Sequence, residues 1–137
     1  MKRIIAIDYG DARTGVAVSD LTGTLAGEAL TIQEWNAEKL AQRLAFFARE
    51  RDAERFVLGL PKNMDGTEGF RAEATYKFAK HLEEVFKGEI IFRDERLTTV
   101  GAQRFLNETN TRGKKRKGVI DTVSACLILE GYLNSVK

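Results

Sequence analysis

Three carboxylates in this chain have positions that suit chemistry: Asp8, Glu95 and Asp121. Asp8 ends Lys2–Ile7, a short Ile-rich run with the pattern of a strand buried on both faces. A carboxylate at the carboxyl end of such a strand is costly unless something uses it. Glu95 follows a second apolar run, Glu89–Phe92, and Asp121 opens an otherwise apolar helical stretch, Val119–Leu133. If the strands before Asp8 and Glu95 lie parallel to a third at Arg55–Leu60, their carboxyl ends share one rim. Carboxylates converging there repel unless a cation lies between them. Mg²⁺ or Mn²⁺ suits such a hard-oxygen set and often takes one or two carboxylates plus substrate phosphates. Two such ions about 3.5–4 Å apart activate a water and stabilise the leaving oxygen of a phosphodiester. That chemistry needs neither His nor Cys, and the chain has one of each, His81 and Cys126.

Each carboxylate also has a structural alternative. Asp8 suits a turn-initiating Asp bonded to nearby amides. Asp121 complements a helix dipole. Glu95 pairs equally well with Arg93 or Arg96, and its neighbour Asp94 is an alternative ligand.

The elements that must position these groups follow from the apolar spacing. Gly10, Asp11 and Gly15 mark a tight turn after Asp8, and Thr14–Val18 resumes a strand. Thr24–Ile32 is a third strand after a Thr22-Gly23 turn, which makes an antiparallel meander. Asn36 caps a helix over Ala37–Arg51 with Leu40, Leu44 and Phe47 on its apolar stripe. Trp35, just before the cap, is read as a packing contact at the helix entrance, with base stacking as the alternative. A strand at Arg55–Leu60 leads into the polar loop 62–69. A helix follows to about Phe86, with Phe70, Ala74, Phe78, Leu82 and Val85 on one face. Thr98 or Thr99 caps a short helix to about Leu106. Residues 107–118, polar and rich in Lys and Arg, read as a mobile loop. The order βββαβαβαα predicts an α/β fold, a mixed five-stranded sheet covered by helices, as one domain over 1–137.

Composition bounds the function. Apolar residues make up 43% and charged residues 31%, ordinary for a soluble globular chain. The net charge of +2 means that nucleic-acid binding must come from local clusters of cations. Neither a signal peptide nor a membrane span is expected, and the lone cysteine fits a cytoplasmic protein. Arg13 lies near the rim and suits a scissile phosphate. Lys62 lines the same groove, Arg71 caps or binds, and Arg96 holds Glu95 or touches phosphate. Arg112, Lys114, Lys115, Arg116 and Lys117 form a dense basic cluster read as phosphate-contacting.

DYGDARTG, GLPKNMDGTEGFRAEA, DERLTT and KKRKGVIDTVSACLILEGYL together resemble the YqgF (RuvX) family, over essentially the whole chain and in the family's order. The family is described as pre-16S rRNA nucleases and as Holliday-junction-resolvase-like proteins. The resemblance implies a ribonuclease H-like fold, work on the 5′ end of the small-subunit rRNA precursor in the bacterial cytoplasm, and an acidic site at Asp8, Glu95 and Asp121. The partners it implies are rRNA precursor or branched DNA, with ribosomal particles nearby, for a monomer or weak homodimer. Phe70 stands where a Pro is common, and Thr122-Val123-Ser124 also departs from the usual pattern. Three rivals remain. An actin-like ATPase shares the strand-Asp-Gly turn but needs two lobes. A non-catalytic binding module in ribosome assembly or transcription gains nothing from clustered anions. A four-way DNA junction resolvase keeps the fold and needs a symmetric dimer.

Overall fold

The Ile-rich run becomes the centre of a five-stranded sheet. The computed structural model describes residues 2–20, 26–62, 65–94 and 113–136, with Ala26 and residues 113–121 as backbone alone. The strands are β1 (Arg3–Asp8), β2 (Arg13–Ser19), β3 (Ala26–Gln33), β4 (Ala53–Leu60) and β5 (Glu89–Asp94), and the helices are α1 (Ala37–Glu50), α2 (Phe70–Val85) and α3 (Gly113–Ser135). Their order across the sheet is β3-β2-β1-β4-β5. β1 pairs antiparallel with β2 and β2 with β3, whereas β1, β4 and β5 run parallel. The mixed sheet and its parallel half are as the sequence predicts. The expected short helix after Thr98, the Thr22-Gly23 turn and residues 107–112 lie outside the described residues.

Both faces of β1 are buried, which explains why its residues do not alternate in polarity. Ile5 and Ile7 pack with Val16, Phe56, Leu58, Leu40, Leu44, Phe78 and Leu82 under α1 and α2. Ile4 and Ala6 pack with Ala17, Val57, Ile128, Leu129 and Leu133 under α3. Full burial of side chains such as Phe56 or Leu129 stabilises by roughly 1.5–3 kcal/mol each. Asn36 caps α1 as expected: its Oδ1 accepts the Lys39 N–H at 2.9 Å. The chain leaves α1 through Asp52, whose φ of 50° lies in the left-handed region.

Three expectations are corrected. In α2 the buried residues are Ala72, Thr75, Phe78, Ala79 and Leu82. Phe70 and Val85, in the first and last turns, are exposed. Trp35 does not pack at the entrance of α1 and stands largely in water. Residues 113–118, expected in a loop, are the first turns of α3. Lys and Arg are good helix formers, and their charges, read as a loop signal, do not oppose a helix whose apolar part is anchored further on. Among the described residues no helix is long and apolar enough to cross a membrane.

Candidate active site

Asp8 occupies the carboxyl end of the central strand, half-buried, directly opposite Gly15 of β2. Gly15 in turn pairs with Thr31 of β3. Directly paired residues share a face, so Asp8, Gly15 and Thr31 form one row. On the other side Ile7 pairs with Leu58, which sets Gly59 beside Asp8. Gly59 pairs with Arg93, and Leu60 with Asp94. The carboxylate therefore has a glycine as cross-strand neighbour on both sides, and no side chain from either crowds it.

The face of this row is the one that α3 covers. Ile4 and Ala6, which alternate with Ile5 and Ile7, pack against α3, and Asp8 continues their series. Thr31 joins the row to the helix: its Oγ1 lies 2.8 Å from Thr122 Oγ1. At about 4.8 Å per strand, Thr31 is about 10 Å across the sheet from Asp8. Asp121 precedes Thr122 in α3, within the part described as backbone alone. The helix thus enters the sheet at the level of Asp8. From there it runs toward the opposite rim, where the Tyr132 hydroxyl accepts from Arg55 at 2.9 Å. On β5, Ile91 packs under α3 and the Arg93 guanidinium lies against Gly131, where an added Cβ would meet its Nε at 3.1 Å. Glu95, Arg96 and Arg112 lie outside the described residues.

The cations are distributed around the same rim. Arg13 begins β2 and shares the face of Gly15, which makes it the diagonal neighbour of Asp8, about 7–8 Å away by strand geometry. Arg71 approaches from the other face, its Nη2 donating to the Tyr9 carbonyl at 3.5 Å. Lys62 follows β4, two residues past Leu60, and is half-buried. Lys114, Lys115, Arg116 and Lys117 occupy the start of α3, five or more residues before Thr122. At 1.5 Å per residue this basic end reaches roughly 8–12 Å beyond the Thr31 contact.

A tight turn holds these parts together. Thr14, fully buried, accepts the Gly10 N–H at 3.3 Å and donates to the Gly10 carbonyl at 3.4 Å. Tyr9 stacks on Phe78 with ring centroids 4.5 Å apart. Burial, and then the nearby Asp11 carboxylate, push the Tyr9 phenol above its usual value, with Arg71 pulling the other way. Tyr9 is thus a neutral anchor of the turn to α2. Neither the Thr31–Thr122 bond nor the glycine pair beside Asp8 is legible in the sequence, since both depend on strand register.

Of the expected carboxylates Asp8, Glu95 and Asp121, only Asp8 has a described side chain. Its oxygens are hard donors of the kind that Mg²⁺ and Mn²⁺ take.

The comparisons with known proteins agree with this architecture. The sequence model of the family described as “RuvX: Holliday junction resolvase” matches residues 2–135. A protein of Thermoanaerobacter pseudethanolicus named “Putative pre-16S rRNA nuclease” is 45% identical over 136 residues, covering 98% of each chain. A Ruminiclostridium cellulolyticum protein of the same name is 44% identical over 135 residues, covering 98% of this chain and 95% of its own. The RuvC of T. thermophilus, in complex with a Holliday junction substrate, superposes with a TM-score of 0.62 at 9% identity, covering 100% of this chain and 98% of its own. The fowlpox virus resolvase, in complex with junction DNA, gives 0.57 at 13% identity, covering 98% of each. At such low identity these two structures show the ribonuclease H-like fold alone. The family match and the full-length relatives show more: the chain belongs to the RuvX family of nucleases.

Proposed function

We propose that this protein is a Mg²⁺- or Mn²⁺-dependent nuclease that processes the 5′ end of pre-16S rRNA in the bacterial cytoplasm. The observation that carries the reading is the row Asp8–Gly15–Thr31, tied through Thr122 to the helix that bears Asp121. The names of the full-length relatives support the rRNA substrate. In this reading Asp8, Glu95 and Asp121 hold the ion, which supplies an activated water and a counter-charge to the leaving oxygen. Arg13 holds the phosphate beside Asp8, and Arg71 and Lys62 hold the strand on either side of it. Arg96, Arg112 and the basic start of α3 take more distant phosphates. These contacts fix the register of the backbone and carry no base preference of their own.

The test is cleavage of matched RNA and DNA substrates, including a precursor leader and a four-way junction, in Mg²⁺, Mn²⁺, Ca²⁺ and chelator. Cleavage of the leader in Mg²⁺ or Mn²⁺ is expected, abolished by chelator and by Asp8→Asn. Ca²⁺ should bind yet support little turnover, because its looser coordination positions the water poorly. Full activity in excess chelator would refute the reading. The family's description and the resolvase folds favour one second reading, junction cleavage. Cutting of the junction in preference to the RNA leader would select it.

A further inference from the structure

Two aromatic side chains stand in water beside the turn that follows Asp8. Trp35 is 74% exposed and Phe70 is 79% exposed, the two highest values among the described large hydrophobic residues. Singly exposed apolar residues are ordinary; the position of these two makes them informative. On one flank of the turn the Glu34 N–H donates to the Ala12 carbonyl at 3.0 Å, which pins the end of β3, and Trp35 after it, to the turn. On the other flank Arg71 donates to the Tyr9 carbonyl at 3.5 Å. Its neighbour Phe70 shares a small cleft with Tyr9, Gly10 and Asp11. Arg13, on the face of Asp8, lies between the two flanks.

Neither ring has a packing role among the described residues. The ring contacts join Tyr9 to Phe78, Phe56 to Phe86 and Tyr76 to Phe92. Both core clusters close without Trp35 and Phe70. Exposed aromatic faces interleaved with arginines are the pattern of a single-strand platform. Unpaired bases stack on the rings while cations follow the phosphates. Bases within a continuous duplex are already stacked on one another and offer no free face.

Building on the nuclease reading above, we propose that Trp35 and Phe70 stack unpaired bases on the two sides of the phosphate presented to Asp8. The protein then takes single-stranded or splayed nucleic acid in preference to continuous duplex. The chain itself supplies the probe, because Trp35 is its one tryptophan. Titration in chelator with a 12-nucleotide single-stranded RNA, and with a blunt duplex of the same sequence, is followed by tryptophan emission and by anisotropy of an end-labelled strand. The single strand should quench Trp35 at the concentrations at which anisotropy rises, and the duplex should leave it unchanged. Substitution of either ring by alanine, W35A or F70A, should weaken single-strand binding by about five- to 150-fold, the usual effect of losing one base–aromatic stack. Duplex binding should be unaffected. Both positions are exposed, so the variants should fold as the parent does. Emission that stays constant while the single strand binds overturns the inference. So does a W35A chain that binds both RNAs as the parent does, which would assign the rings to a protein partner. Mg²⁺-dependent cleavage measured on the same samples then still upholds the nuclease reading. A parent chain that neither binds nor cleaves RNA overturns both.

Discussion

Gly10→Ala should damage the protein through space, not through backbone conformation. The only glycine with a left-handed φ among the described residues is Gly66. At Gly10 an added Cβ would instead lie 2.2 Å from the Arg13 carbonyl oxygen, far inside the ~3.5 Å optimum for such contacts. A carbonyl oxygen cannot rotate away as a side chain can, so the turn must open. Overpacking of this kind costs about 1–3 kcal/mol. Opening also pulls Gly10 from the buried Thr14 hydroxyl, which holds it at 3.3 and 3.4 Å, and a buried polar group left without partners costs about 1–3 kcal/mol. These bonds are long, so the low end of the second range applies and the total is about 2–4 kcal/mol. That corresponds to a melting temperature lower by about 6–15 °C for a domain of this size. Urea denaturation with a shared slope and a thermal melt both read it. Cleavage should fall further than the folded fraction alone explains, because the same turn spaces Arg13 from Asp8. A Gly10→Ala protein with the parent's midpoint and activity would refute the reasoning.

Thr122→Val should cost about 0.5–1.5 kcal/mol; the double variant with Thr31→Val should cost less than the sum of the singles, whereas additive urea midpoints would mean that the 2.8 Å contact does not couple them. Asp121→Ala distinguishes a metal ligand from a helix-dipole residue. A ligand leaves stability in chelator unchanged or raised and forfeits the gain of about 2.7 kcal/mol expected for the parent at a hundredfold excess of Mg²⁺ over its dissociation constant; equal destabilisation in both conditions identifies a dipole residue. Neutralising Lys114, Lys115, Arg116 and Lys117 should reduce the log–log salt slope for single-stranded RNA by about one to two, at roughly 0.7 per lost phosphate contact; an unchanged slope would make them solvated surface. Arg51 hydrogen-bonds the Glu28 carboxylate at 2.9 and 3.0 Å and so lowers its pKa from the usual 4.5. The stabilisation is therefore complete above that value and is lost as pH falls through the lower folded value, so Glu28→Gln should lose less stability on acidification than the parent does, an order that acid titration of the urea midpoint can contradict.

Much of this fold is legible in the sequence because its centre is simple. Ile4, Ile5 and Ile7 admit no reading but a doubly buried strand, and Asn36 ahead of a periodic stretch announces a helix start that the Lys39 hydrogen bond fulfils. Errors arise where composition stands in for context. Phe70 reads as core because it is large and apolar, yet α2 leaves it exposed and buries Ala72 and Thr75 beside the expected Phe78 and Leu82. Trp35 reads as packing for the same reason and is exposed. The basic stretch at 113–118 reads as a loop from its charge and is helical. At the site, Asp8 and Arg13 can be found from one short motif. The row across three strands cannot, because a shift of one residue in register would turn Asp8 to the opposite face.

The placement of α3 has a consequence for quality control of unfinished chains. Residues 113–135 carry Asp121 and also supply Ala125, Ile128, Leu129, Tyr132 and Leu133, the helical half of one core layer. A chain that stops before Gly113 lacks the carboxylate and leaves Ile4, Ala6, Ala17 and Val57 facing water. An exposed apolar layer on a sheet marks a polypeptide for chaperones and proteases. Premature termination should therefore remove its own product, so that no stable fragment with an incomplete site accumulates beside complete copies.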